Sequence, residues 1–92
     1  MELEYESWPI AGQFFKVSIM RFVGPATIKS YLGDKLLSRK DCPDPPCHDM
    51  FEIPSYAAGL TLTVIAVDAI GDKKERSFIV EGKDRLGMET TA

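Results

Sequence analysis

Apolar and polar residues alternate with period two through most of this chain, and turn residues stop each run before a helix could grow. "ELEYES" (2–7) sets Leu3 and Tyr5 against acids. "QFFKVSIMRFV" (13–23) puts Phe15, Val17 and Ile19 on one side, with Lys16 and Ser18 on the other. "ATIKSYL" (26–32), "MFEIP" (50–54), "LTLTVIAVD" (60–68) and "RSFIVE" (76–81) repeat the pattern. Strict alternation over such lengths is the mark of a half-buried strand, and β-branched and aromatic residues favour it further. Six prolines and seven glycines fall mainly between the runs, in "PIAGQ", "VGP", "YLGDK", "CPDPPC", "PSYAAG" and "IGDKK". They leave little room for a long helix.

The one stretch with helical spacing is "TIKSYLGDKLLSRK" (27–40), where Ile28, Leu32 and Leu36 recur every fourth residue. Gly33-Asp34 in its middle is a hairpin signal, so two strands around a turn are expected there. The pair 60–68 and 75–81 is the firmest element, with Gly71 supplying the positive φ that a tight connection needs. Leu62, Val64, Ala66, Phe78 and Val80 are expected to pack on Val17, Ile19 and Ile28. Six or seven strands at this spacing predict an all-β fold, an antiparallel β-sandwich. The 92 residues suit one domain. Its expected span is 1–82, followed by a polar tail or linker over 83–92.

The net charge is −3, with acidic and basic residues interspersed along the chain. Nucleic-acid recognition normally needs a basic stripe, and none is visible, so no nucleic-acid partner is expected. The longest apolar stretch, "GLTLTVIAVDAIG" (59–71), is broken by threonines and an aspartate, and no direct membrane insertion is expected. "MELEYESWPI" lacks the basic start and apolar core of a signal peptide. Either the chain is cytosolic, or it is a domain of a longer secreted or cell-surface protein, and the second reading is the expectation.

All the soft ligands of the chain apart from its other methionines stand in "DCPDPPCHDMF" (41–51): Cys42, Cys47, His48 and Met50. Three chemistries compete for them. A zinc or copper centre needs a second ligand pair further along, and the chain has only one histidine and these two cysteines. A dithiol redox pair prefers C-x-x-C at a helix N-terminus, whereas this C-x₄-C carries three prolines and flanking aspartates that disfavour a thiolate. A disulfide closing a proline-rich loop fits the even count and close spacing, and would add about 2 kcal/mol or less. The expectation is a Cys42–Cys47 disulfide. The alternative is a small copper- or zinc-binding protein using Cys42, Cys47, His48 and Met50.

Other candidates are weaker. Asp68 and Asp72 bracket a turn and could bind Ca²⁺ at a loop end, or serve the turn itself, Asp68 bonding its own loop. Tyr5, Trp8, Tyr31 and Tyr56 could line a glycan-stacking face or simply pack. Phosphate-loop, nucleophile-elbow and H-E-x-x-H motifs are absent, and no catalytic residue and no cofactor is expected.

The stretch "FEIPSYAAGLTLTVIAVDAIGDKKERSFIV" (51–80) resembles the second half of bacterial immunoglobulin-like and fibronectin-III-like accessory domains. The likeness lies in Phe51, Ile53, Pro54 and Gly59, then Thr61, Leu62, Thr63, Val64, Ala66 and Asp68, then Gly71, Phe78 and Val80. "PIAGQFFKVSI" (9–19) is similar to their first core strand. The chain departs from them at Gly71-Asp72, where Gly-Asn is common, and at Leu60, where Tyr or His often stands. It has no cysteines placed for the inter-sheet disulfide of antibody domains. The resemblance implies an antiparallel immunoglobulin-like β-sandwich of about seven strands, a non-catalytic module acting as a spacer or as a protein- or glycan-interaction domain, with neighbouring domains of a parent protein as partners.

Overall fold

The computed structural model describes residues 1–82, so the expected tail over 83–92 lies outside the described residues. Seven strands form: β1 (Leu3–Tyr5), β2 (Phe14–Ile19), β3 (Ala26–Leu32), β4 (Lys35–Cys42), β5 (Cys47–Glu52), β6 (Thr61–Val67) and β7 (Lys73–Ile79). They make two antiparallel sheets, β1-β2-β5 and β4-β3-β6-β7. The chain is an all-β sandwich.

Alternation decides which residues meet between the sheets. Val17 and Ile19 on β2, Ile28 on β3, Leu62, Val64 and Ala66 on β6, and Phe78 and Val80 are all buried, as their spacing predicts. Leu60 stands in the same alternating row as Leu62 and is not buried. It sits in the turn before β6, where its carbonyl accepts from the Val80 N–H and its side chain is exposed.

Residues 27–40 form the hairpin that Gly33-Asp34 signals, with Gly33 at φ +58°. The β3–β4 register shifts between Ser30 and Tyr31, a bulge that locally bends the pair.

Several boundaries differ from the sequence reading, among them those of β2, β5 and β7, which starts at Lys73. β2 ends at Ile19, because residues 20–23 leave the ladder and Val23 is captured by the 68–72 turn. β5 starts at Cys47, ahead of the "MFEIP" run, because pairing with β2 continues through Ile19↔Cys47. His48 and Asp49 have poor strand propensity, and a complete partner strand overrides it.

The strands place two different ends on the sandwich. At one, Phe15 packs edge-on against Phe51 and Phe78, at ring separations of 5.9 and 5.4 Å. Tyr5 and Trp8 close over Phe78 at 4.9 and 5.3 Å. Such edge-to-face contacts satisfy the ring quadrupoles while burying much apolar area. The other end carries the connections 20–25, 43–46 and 68–72.

Candidate functional site

The sequence singled out residues 41–51, and the structure puts them at this loop end. Cys42 is the last residue of β4 and Cys47 the first of β5, so their bond joins the two sheets where the chain crosses between them. The S–S distance is 2.04 Å and the Cα atoms stand 5.8 Å apart. Both cysteines are buried in the core. The expected stapled loop is therefore present, and it does more than close itself: it fixes the passage from the four-stranded to the three-stranded sheet. The disulfide points to an oxidising, extracytoplasmic environment.

Strand alternation separates the remaining soft ligands from the sulfurs. Cys47 faces inward, whereas His48 and Met50 face outward on the solvent side of β5. The structure thus brings Cys42 and Cys47 together and does not bring His48 or Met50 to them. His48 Nδ1 shares a 2.7 Å hydrogen bond with Ser18 Oγ on β2, a contact that sequence reading did not find. The signal for it was there: both residues lie at outward positions, but their register depends on which strands pair. Glu4 stands opposite Ser18 on the other side, so the row reads Glu4–Ser18–His48. With serine in the middle, the acid does not orient the imidazole as a nucleophile relay requires.

Asp68 is the organising residue of the loop end. Its carboxylate is buried, and Oδ1 accepts the N–H groups of Ile70 (3.2 Å) and Asp72 (2.9 Å). Its Oδ2 accepts the N–H of Val23 from the neighbouring loop at 3.3 Å. Ala69 N–H returns a bond to the Val23 carbonyl at 2.9 Å. The turn role expected for Asp68 is present, and the reach to a second loop is new. A carboxylate that takes several backbone N–H groups replaces the water those groups would otherwise need. Gly71, at φ +81°, lets the turn close beneath it.

Asp72 is engaged differently. It accepts from the amino group of Met1 at 3.1 Å and lies 3.6 Å from the Lys74 ammonium. The hydrogen bond from the Met1 amino group, with Lys74 adding to it, holds the carboxyl below the ordinary carboxylate value against the opposing effect of desolvation. The two carboxylates offered as Ca²⁺ ligands are thus both turned toward N–H or ammonium donors.

The third loop is tied in sterically as well as by the disulfide. A Cβ on Gly24 would run into the Pro43 carbonyl oxygen, so the 20–25 and 43–46 connections touch backbone to backbone. On this fixed platform Val23 and Ile70 remain 52% and 71% exposed.

The four aromatic candidates do not share a face. Tyr5 and Trp8 belong to the packed aromatic end, where Trp8 Nε1 donates to the Ile79 carbonyl at 2.8 Å and the Arg76 guanidinium stacks 5.1 Å over Tyr5. Tyr56 is exposed on the β5–β6 connection. Tyr31 lines a shallow depression of about 510 Å³ on the outer face of the four-stranded sheet, with Lys29, Arg39, Ile65, Val67 and Lys73.

Pairing also sorts the charges that look interspersed in sequence. Lys35, Arg39 and Lys40 fall on β4 and Lys73, Lys74 and Arg76 on β7, the two edges of the four-stranded sheet. Among the described residues, no three His, Cys, Asp or Glu side chains gather as a metal-ligand group, and no helix is long and apolar enough to cross a membrane. Compared with protein-family models, curated proteins and solved structures, the chain has no significant match.

Proposed function

We propose that this domain is a non-catalytic immunoglobulin-like module of a larger secreted or cell-surface protein, of the bacterial immunoglobulin-like or fibronectin-III-like accessory kind. It acts as a spacer or as a protein- or glycan-interaction domain. The observation that carries this reading is the Cys42–Cys47 disulfide locking the crossover between the two sheets. A small domain with a modest core gains resistance from such a staple, and the bond persists only outside a reducing compartment.

The strand order supports the family resemblance. The fourth strand joins β3 in the β4-β3-β6-β7 sheet, whereas in constant-type immunoglobulin sandwiches it pairs with the opposite sheet. The loop end supports an interaction role, since loops held on a rigid scaffold are where such folds usually bind. Here Asp68 and the disulfide hold three connections in place beneath exposed Val23 and Ile70.

The test has two arms. Thiol titration of the protein from its natural source, without reductant, should find no free thiol, and two free thiols overturn the extracytoplasmic placement. Binding of the domain to immobilised glycans and envelope proteins is then compared with that of Val23→Asp and Ile70→Asp. Binding lost in those variants supports the interaction role. Absence of binding leaves the spacer role, and turnover of any glycan or peptide overturns the non-catalytic reading.

A further inference from the structure

The two sheets treat their edges differently. An exposed edge strand offers unpaired N–H and C=O groups to any other strand, and proteins blunt it with lysines, inward-pointing charges, bulges or brevity. On β4, Lys40 lies opposite inward-facing Ile28, and on β7, Lys74 and Arg76 lie opposite Ala66 and Val64. These are charges at inward positions of edge strands, joined by Lys35, Arg39 and Lys73 nearby. β1 is three residues long. β5, "CHDMFE", has six residues, with no lysine, arginine or proline and a continuous register with β2; its one inward charge, Asp49, accepts the Ser38 hydroxyl between the sheets. Its other side has no strand partner among the described residues.

The direction of its free groups follows from the ladder. Ile53 donates to the Gln13 carbonyl and accepts from the Gly12 N–H, so it faces β2. In an antiparallel strand alternate residues point their N–H and C=O to the same side. Phe51, Asp49 and Cys47 therefore also face β2, and His48, Met50 and Glu52 turn theirs to the open edge.

We propose that this edge pairs antiparallel with β5 of a second copy of the chain, on a two-fold axis through Met50. The charges favour that register. Pairing about Met50 sets Met50 against Met50 of the second copy and His48 against its Glu52, and the reverse, on the outer face. An N–H donor facing a carboxylate across a pair stabilises, and like charges directly opposed destabilise. Pairing about Asp49 would instead set two buried aspartates side by side. His48 uses Nδ1 for Ser18, which leaves Nε2 to meet the carboxylate. Met50 is 64% exposed and Phe14, opposite Glu52 in register, is 65% exposed. The outer face thus concentrates apolar surface beside this edge. The result is a continuous six-stranded sheet, an isologous contact in which the same patch serves both partners.

Sedimentation equilibrium of the full chain, from about 1 μM to about 1 mM, spans the range in which weak and moderate dimers dissociate. The wild-type chain should show a monomer–dimer equilibrium. Met50→Lys places two ammonium groups on the axis and should weaken association by about tenfold or more. His48→Glu alone and Glu52→Arg alone should each lose self-association. Mixed together they should form a heterodimer. The carboxylate introduced at position 48 of one chain then meets the guanidinium introduced at position 52 of the other, and the unaltered His48 and Glu52 meet at the second pair. Lys73→Ser, on the guarded β7 edge, should leave the dimer unchanged. Circular dichroism checks that each variant is folded, and the exposed positions chosen make that the expected result. A monomer throughout the range overturns the proposal. So does a dimer that survives Met50→Lys, one sensitive to Lys73→Ser, or a mixture that fails to associate.

Discussion

The aromatic end and the loop end of the sandwich are held together by different physics. At the aromatic end Phe15, Phe51 and Phe78 interlock with Tyr5 and Trp8, and burial supplies the stabilisation. At the loop end Phe22 packs on the core, and the connections are joined by a disulfide, one buried carboxylate and a glycine pressed against a carbonyl. Burial is non-directional and tolerates small shifts of its members. The loop end relies on bonds that are either made or lost. The arrangement leaves apolar Val23 and Ile70 free to face solvent, because they are not needed for packing.

Phe78→Ala should break the first end outright. Phe78 touches Tyr5, Trp8 and Phe15, and its removal leaves a cavity that three rings cannot fill at once. The expected cost is about 3–5 kcal/mol, a large share of the stability of a domain this small. Urea denaturation should show the midpoint falling with little change in slope. A loss under about 1 kcal/mol would mean that burial does not dominate that end.

At the loop end the double replacement Cys42→Ala with Cys47→Ala should cost about 2 kcal/mol from the lost loop constraint. For a domain of this size that lowers Tm by roughly 8–16 °C. The comparison sharpens if the aromatic end ignores the change. Tryptophan fluorescence from Trp8, at the far end, should keep its native spectrum while amide exchange rises in residues 20–25 and 68–72.

Asp68→Ala should cost about 1–3 kcal/mol, because it leaves the N–H groups of Val23, Ile70 and Asp72 without their acceptor. Hydrogen exchange at Val23 and Asp72 should accelerate together. If only Asp72 responds, the carboxylate serves its own turn and does not tie the two loops.

These two ends were unequally legible in the sequence. Phe15, Phe51 and Phe78 announce themselves by alternation, since a period-two pattern names the buried face before any partner is known. The disulfide was legible because spacing and proline content constrain a short segment by themselves. The Asp68–Val23 bond was not, because 45 residues separate its partners and only strand order brings them together. The same limit hid the edges. Lys40 and Arg76 read as ordinary surface charges until pairing shows β4 and β7 to be outermost. His48 could join Cys47 as a ligand only on an irregular backbone, and in the strand that forms the two point to opposite faces. What a residue does locally can be read from its neighbours in sequence, and what it closes, guards or reaches depends on topology.

Between the two ends lies a polar spot whose test should have the smallest effect. Ser30 is 0% exposed and its hydroxyl has no hydrogen-bond partner. It faces inward at the β3–β4 bulge, directly opposite Ser38, whose own hydroxyl donates to buried Asp49 across the two sheets at 2.8 Å. Ser38 and Asp49 satisfy each other, which leaves Ser30 as the orphan of the group. Burying an unpaired hydroxyl is unfavourable, so Ser30→Ala should be neutral or stabilising by up to about 1 kcal/mol. Ser38→Ala should instead destabilise by about 1–3 kcal/mol, since it strands a buried carboxylate oxygen. The opposite signs at two facing serines are the measurement. If Ser30→Ala destabilises as much as Ser38→Ala does, the Ser30 hydroxyl has a partner in solution, such as a bound water, and the middle of the sandwich is a connected polar bridge between the sheets.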